Sequence, residues 1–151
     1  MSGQKESLLE HLERIAFFLE LQGENVFKIK AFKTGVEILS GLNEQELITK
    51  TEDGSLLEMK GIGKGIMAVC QDFLKTGTSA ELERVRENLP EGLFDWRSIS
   101  GLGPKKIKVI YDSLGISTLG ELEYACRENR LVNLPGFGEK SQKKIRAELQ
   151  E

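Results

Sequence analysis

Leu8, Leu12, Ile15 and Leu19 recur at three- and four-residue intervals, with Ala16 and Phe18 widening the stripe, which is the spacing of one helix face. The pattern predicts an amphipathic helix from about Glu6 to Leu21, stopped at Gly23. A second helix is expected from Val26 to Leu39, ending before Gly41. Asn43 and Glu46 then have the spacing of a capping box for a third. Ser55 is positioned to cap another after Gly54, Lys64 to Leu74 reads as a helix closed by Gly77, and Ser79 to Leu89 as one broken by Pro90. Past Pro90 the apolar cluster Leu93, Phe94 and Trp96 reads as core. Pro104 stands where a first helical residue should, Gly115 closes that helix, and Thr118 with Glu121 opens the next over Leu119, Leu122 and Ala125. No alternating strand pattern of useful length occurs. The expected fold is all-α: two small helical domains in tandem, 1–89 and 90–151, with the break near Asn88 to Gly92.

At three of the breaks between helices the chain repeats itself: Met59-Lys60-Gly61-Ile62-Gly63-Lys64-Gly65, Ile99-Ser100-Gly101-Leu102-Gly103-Pro104-Lys105-Lys106, and Leu134-Pro135-Gly136-Phe137-Gly138-Glu139-Lys140-Ser141. Each copy is an apolar residue, a link, Gly-apolar-Gly and an amphipathic stretch. Both glycines are expected to supply a tight turn with positive φ and to leave no Cβ in the way of a ligand, while the helix that follows presents unpaired amides. Such a site suits an oxyanion, and three of them suit a polymer of regularly spaced anions, which points to nucleic acid. A dinucleotide-binding fold is excluded by context, because no β-branched run precedes any copy. The candidate contacts are Gly61, Gly63, Lys64 and Gly65; Gly101, Gly103, Lys105 and Lys106; and Gly136, Gly138, Lys140 and Ser141. Ile99, Leu102 and Ile107 are expected to set the angle of the second turn. A Gly103→Val change is expected to act twice, straining φ and blocking approach.

Formal net charge is −3, which argues against a protein that coats DNA through global charge. The signs are nevertheless separated. Arg97, Lys105, Lys106 and Lys108 lie in an acid-free run, and Lys140, Lys143, Lys144 and Arg146 face Glu139 alone, while Glu81, Glu83, Glu87, Glu91 and Asp95 gather between the first two motifs. Cys70 and Cys126 fall inside helical patterns, and the single histidine, His11, has no ligand cluster around it, so a disulfide framework and a zinc site are both unexpected. No apolar run approaches ~20 residues and no basic-then-apolar leader is present, so no membrane partner is expected and the cytoplasm is the default compartment.

The repeated element resembles the helix-hairpin-helix, a phosphate-binding motif of DNA-binding proteins. Together with the run Gly23-Glu24-Asn25-Val26-Phe27-Lys28-Ile29-Lys30-Ala31-Phe32 and Phe73-Leu74-Lys75-Thr76-Gly77, the three motifs in this order resemble the N-terminal part of bacterial family X DNA polymerases over nearly the whole chain. The resemblance implies a first unit that docks on the 5′ side of a gap and a second that grips the primer strand. It implies a place in DNA repair, base excision repair included, and a preference for gapped, nicked or 5′-phosphorylated duplex. It also implies an alkali cation, Na+ or K+, on turn carbonyls: Leu57, Met59 and Ile62 in the first hairpin, Arg97, Ile99 and Leu102 in the second, Val132, Leu134 and Phe137 in the third.

In an animal member of the family the first unit removes a 5′ deoxyribose phosphate through a lysine Schiff base. The matching position here is Val69, and the accompanying pocket residues are Gly65, Phe32 and Glu81 in place of lysine, tyrosine and lysine, with Lys28 retained. Lys64 or Lys75 would have to substitute, with a depressed pKa. No strand-borne pair of aspartates is present for a two-metal transferase centre, so polymerase chemistry is not expected of these residues. Phe27 matches a base-stacking position and reads equally well as core. Lys28, Lys30 and Lys33 do not share one helix face, so about two of them are expected to reach DNA. The chain thus reads as a DNA-binding module. The alternatives are a lyase or a piece of a family X polymerase, and a docking module for other repair proteins, a reading the acidic balance keeps open.

Overall fold

The computed structural model describes residues 3–150, and all of the regular structure among them is helical. The chain divides into two compact units, Met1–Glu87 and Asn88–Glu151. In the first, α1 (Gln4–Leu21), α2 (Val26–Ser40), α3 (Glu44–Asp53), α4 (Lys64–Thr76) and α5 (Ala80–Val85) enclose a core of Leu8, Leu12, Ile15, Phe18, Leu19, Leu39, Leu47, Leu56 and Cys70. The long α1 is the centre of this unit and packs on the other four. Its end is a left-handed turn at Gly23 (φ +68°), with the Gly23 and Glu24 amides donating to Glu20 and Leu19 carbonyls.

Local signals account for most of the boundaries. Asn43 and Glu46 form the expected capping box, Asn25 caps α2 by accepting from the Phe27 and Lys28 amides, and Gly77 ends α4 in the left-handed region. Ser79 caps α5 from a buried position. Its hydroxyl accepts from the Leu82 amide and lies 2.8 Å from His11 Nε2, so one side chain joins α1 to the start of α5. If the hydroxyl gives its proton to Nε2, the neutral tautomer with Nδ1–H is selected. Burial, with the Arg14 charge behind it, lowers the His11 pKa to about 4.

The second unit contains α6 (Pro104–Leu114), α7 (Leu119–Arg127) and α8 (Glu139–Leu149), with a 3₁₀ helix, Glu91–Ser98, ahead of them. Trp96, Leu93, Ile107, Ile110, Leu122 and Leu131 make its core. Pro104 does occupy the first turn of α6, Gly115 closes it, and Thr118 with Glu121 caps α7. The buried Gln142 ties α8 to the preceding loop, its Oε1 accepting from the Leu131 amide and its Nε2 donating to Asn129 Oδ1.

Two local expectations are overturned and one open reading is decided. The segment before the first hairpin turn is a 3₁₀ helix, Ser55–Glu58, and Ser55 does not cap it: Gly54 (φ +83°) holds that position and Asp53 Oδ1 has captured the Ser55 amide. The helix expected to reach Leu89 ends at Val85, because Asn88 adopts a left-handed φ of +66° before Pro90. Phe27 is not core but 79% exposed.

Candidate nucleic-acid interface

The three repeats fold alike. In each, the amide of the apolar residue between the glycines closes a four-residue turn: Ile62 donates to Met59 O (3.1 Å), Leu102 to Ile99 O (3.1 Å) and Phe137 to Leu134 O (3.0 Å). The third residue of the turn is Gly61 (φ +95°), Gly101 (φ +84°) or Gly136 (φ +83°), the left-handed geometry that a type II turn demands there. Ile62, Ile99 and Leu102 point into the core and anchor the turns from below.

The second glycine of each repeat behaves differently from expectation. Gly63, Gly103 and Gly138 have φ of −95°, −84° and −162°, extended backbone open to any residue, and each is the N-cap of the helix that follows. Gly103→Val therefore carries no φ strain. A Cβ built on any of the three meets no atom within 4 Å. Fold and packing leave these positions open to side chains, and Ser, Asn or Asp would cap better than Gly. What a side chain would block is the space outside, in front of the first amides of α4, α6 and α8.

Those amides are not equivalent across the repeats. In the first, Gly63, Lys64 and Gly65 follow one another with no side-chain cap. In the second, Pro104 removes one amide and Lys105 and Lys106 follow it, while the Ser100 amide in the turn donates to Glu148 Oε2 of α8 at 2.8 Å. In the third, Pro135 has no amide to give, the Gly138 amide donates to Ser141 Oγ at 3.0 Å, and the acidic Glu139 opens the helix. Lys106 links the second and third turns, its Nζ 5.4 Å above the Phe137 ring and its Cε 3.7 Å from where a Gly136 Cβ would stand. Lys64, Lys105 and Lys140 are exposed, each in the first turn of its helix.

Several expected cations are already paired. Lys28 Nζ meets Glu81 Oε1 at 2.5 Å, Lys33 is bound to Glu20, and Lys108 to Asp112 at 3.3 Å, which leaves the exposed Lys30 as the lysine of the α2 trio outside these ion pairs. Glu81 also holds Arg84 (3.0 Å), which reaches on to Glu24 (3.3 Å). Arg84 first, then Lys28, pull the Glu81 carboxyl below the usual carboxylate range. Of this cluster only the i,i+3 pair Glu81–Arg84 has a sequence signal, since Lys28 joins it from another helix. Val69 is buried and lines a cavity of about 240 Å³ in which Lys28 is the single amine. The cation-binding carbonyls implied by the family resemblance are main-chain oxygens at the ends of the 3₁₀ helices and in the turns. Met59, Ile99 and Leu134 each already accept one turn hydrogen bond there, which leaves a second lone pair on a neutral donor of the kind an alkali ion takes. Among the described residues no group of three or more His, Cys, Asp or Glu side chains is gathered as a metal site, and no helix is long and apolar enough to cross a membrane.

Residues 4–79 match the helix-hairpin-helix domain family and residues 95–151 the SAM-like helix-hairpin-helix tandem. The chain belongs to the helix-hairpin-helix family. It is also similar to the DNA polymerase/3'-5' exonuclease PolX of Bacillus subtilis (strain 168), with 36% identity over 141 residues. That alignment takes in 93% of this chain and 24% of the relative, so the chain spans about a quarter of the relative's length. The resemblance to bacterial family X polymerases therefore holds along nearly all of these residues.

Proposed function

We propose that this chain binds DNA through the phosphate backbone, in repair or replication, with little regard to base sequence. The observation that carries the reading is the second glycine of the repeats, an extended N-cap whose side-chain direction is empty in all three copies. A phosphate oxygen placed there would meet consecutive amides at the positive end of a helix, with Lys64 or Lys105 and Lys106 adding full charge. Main-chain donors see every phosphate alike, which favours recognition of shape over sequence. The family relationship supports gapped or nicked duplex as the preferred form, with Lys30 and the exposed Phe27 on α2 available to a strand and an unstacked base. An Na+ or K+ ion on the carbonyls of Leu57, Met59 and Ile62, of Arg97, Ile99 and Leu102, or of Val132, Leu134 and Phe137 would supply positive charge between turn and phosphate. Other repair proteins are the further partners the family suggests.

Fluorescence anisotropy with gapped, nicked and intact duplexes over a salt series tests this reading. With about four to six phosphates engaged, log affinity should fall against log salt with a slope of about −4 to −5, and the gapped form should bind tightest. A slope near zero would remove the proposal.

A further inference from the structure

Between the paired glycines of the repeats stand Ile62, Leu102 and Phe137. The first two are buried anchors, 5% and 4% exposed. Phe137 is only half-buried, so the core does not close off its ring. Lys106 takes up what remains. It is the third residue of α6, and helical side chains lean toward the start of their helix, which carries its stem to the third turn. Its Cε stands 3.7 Å from a Cβ built on Gly136, and its Nζ lies 5.4 Å from the centre of the Phe137 ring.

The chemistry of this seat differs from that of a neighbouring lysine on the same helix. Lys108 is held by Asp112 at 3.3 Å, a carboxylate that offsets its charge and occupies a donor. An aromatic ring attracts an ammonium through its quadrupole and brings neither net charge nor a strong acceptor. Lys106 is therefore held in place with its full charge and its N–H donors still available to an anion. A long side chain set in advance also avoids the ordering cost that it would otherwise meet at the moment of binding.

We propose that Phe137 is a positioning residue for DNA binding: its ring seats the Lys106 ammonium beside the start of α6, so that the third hairpin prepares a cation for the second. The inference rests on the DNA-binding reading and deepens it, because it gives the third repeat a part that does not depend on its own amides. Such a part suits a repeat in which Pro135 has no amide, Ser141 Oγ takes the Gly138 amide and Glu139 puts an acid in the first turn of α8. The seat itself belongs to the free protein.

The test uses the full chain with Phe137→Leu, Phe137→Tyr, Lys106→Gln and a double variant carrying both Phe137→Leu and Lys106→Gln, each titrated with gapped duplex by fluorescence anisotropy. Leucine keeps an apolar filler and the main chain of the turn but has no ring. Phe137→Leu should weaken binding about three- to fivefold, and Phe137→Tyr, which keeps the ring, should bind within about twofold of wild type. With Lys106→Gln already in place, the leucine should cost nothing further. Wild-type affinity in Phe137→Leu, an equal loss in Phe137→Tyr, or the same loss with Lys106 already replaced overturns the inference. A second arm needs no DNA: in the NMR spectrum of the wild type the ring should shift the Lys106 Hε signals upfield, and in Phe137→Leu they should return to the ordinary lysine position. Unshifted Hε signals in the wild type overturn the inference. If none of the proteins binds duplex, the DNA-binding reading fails while the Hε signals still decide whether Phe137 seats the ammonium.

Discussion

Glu148 Oε2 accepts the Ser100 amide at 2.8 Å, so the last helix of the chain holds the turn of the second hairpin in place. The donor is the turn's second residue, and forty-eight positions separate it from its acceptor. A long-range contact therefore adds to the local bond from the Leu102 amide to Ile99 O in ordering this turn. Glu148→Ala should accelerate hydrogen exchange of the Ser100 amide at least tenfold, while Glu148→Gln, which keeps an acceptor, should retain most of the protection. Equal exchange in wild type and Glu148→Ala would show that the bond does not hold the turn.

The first glycines of the repeats should rank by strain and space. All three have positive φ, so alanine at Gly101 should destabilise by about 1–2 kcal/mol. At Gly61 a Cβ would also run into the Ile38 side chain on α2, and Gly61→Ala should cost roughly 1 kcal/mol more. Urea denaturation of the two variants checks the order, and equal stabilities would contradict it.

His11 gives stability a specific pH dependence. Its folded pKa, about 4, lies below the usual value near 6.5, so between those limits the unfolded chain holds more protons than the folded one. The contribution is complete above about pH 6.5 and is lost as pH falls toward 4, on the order of 3 kcal/mol in all. The carboxyls of Asp53, Glu81 and Glu121 are shifted downward, away from the His11 window, so the slope between about pH 5 and 6.5 is assigned to His11. Chemical denaturation of wild type should show it, and His11→Gln should flatten it. A slope that survives the substitution would assign it elsewhere.

Short-range chemistry was readable in the amino-acid order. The Asn43–Glu46 and Thr118–Glu121 capping boxes, Pro104 at a helix start and the stops at Gly77 and Gly115 all depend on residues within a few positions of one another. The buried Trp96 and the two buried cysteines follow from apolar periodicity in the same way. Competition between local signals was harder to read. Ser55 read as a cap, but in the fold its own amide donates to the Asp53 carboxylate and Gly54 holds the cap position. The division of roles between paired glycines was also hidden, since Gly101 and Gly103 are chemically identical and only backbone geometry separates a turn residue from an N-cap. The Lys28–Glu81 and Ser100–Glu148 contacts join distant segments, and no periodicity encodes them.

The central claim is that Gly103, like Gly63, is glycine for the sake of what approaches from outside. Thermal unfolding and gapped-duplex affinity measured together on Gly103→Ala test it most directly, because alanine there meets no atom within 4 Å and adopts the same extended φ without strain. The account predicts a protein that still folds cooperatively, its Tm lowered by no more than about a few degrees because alanine is a poorer N-cap than glycine, with affinity reduced about tenfold or more, a loss of about 1.4 kcal/mol in binding. Full affinity in a stably folded Gly103→Ala protein would contradict it.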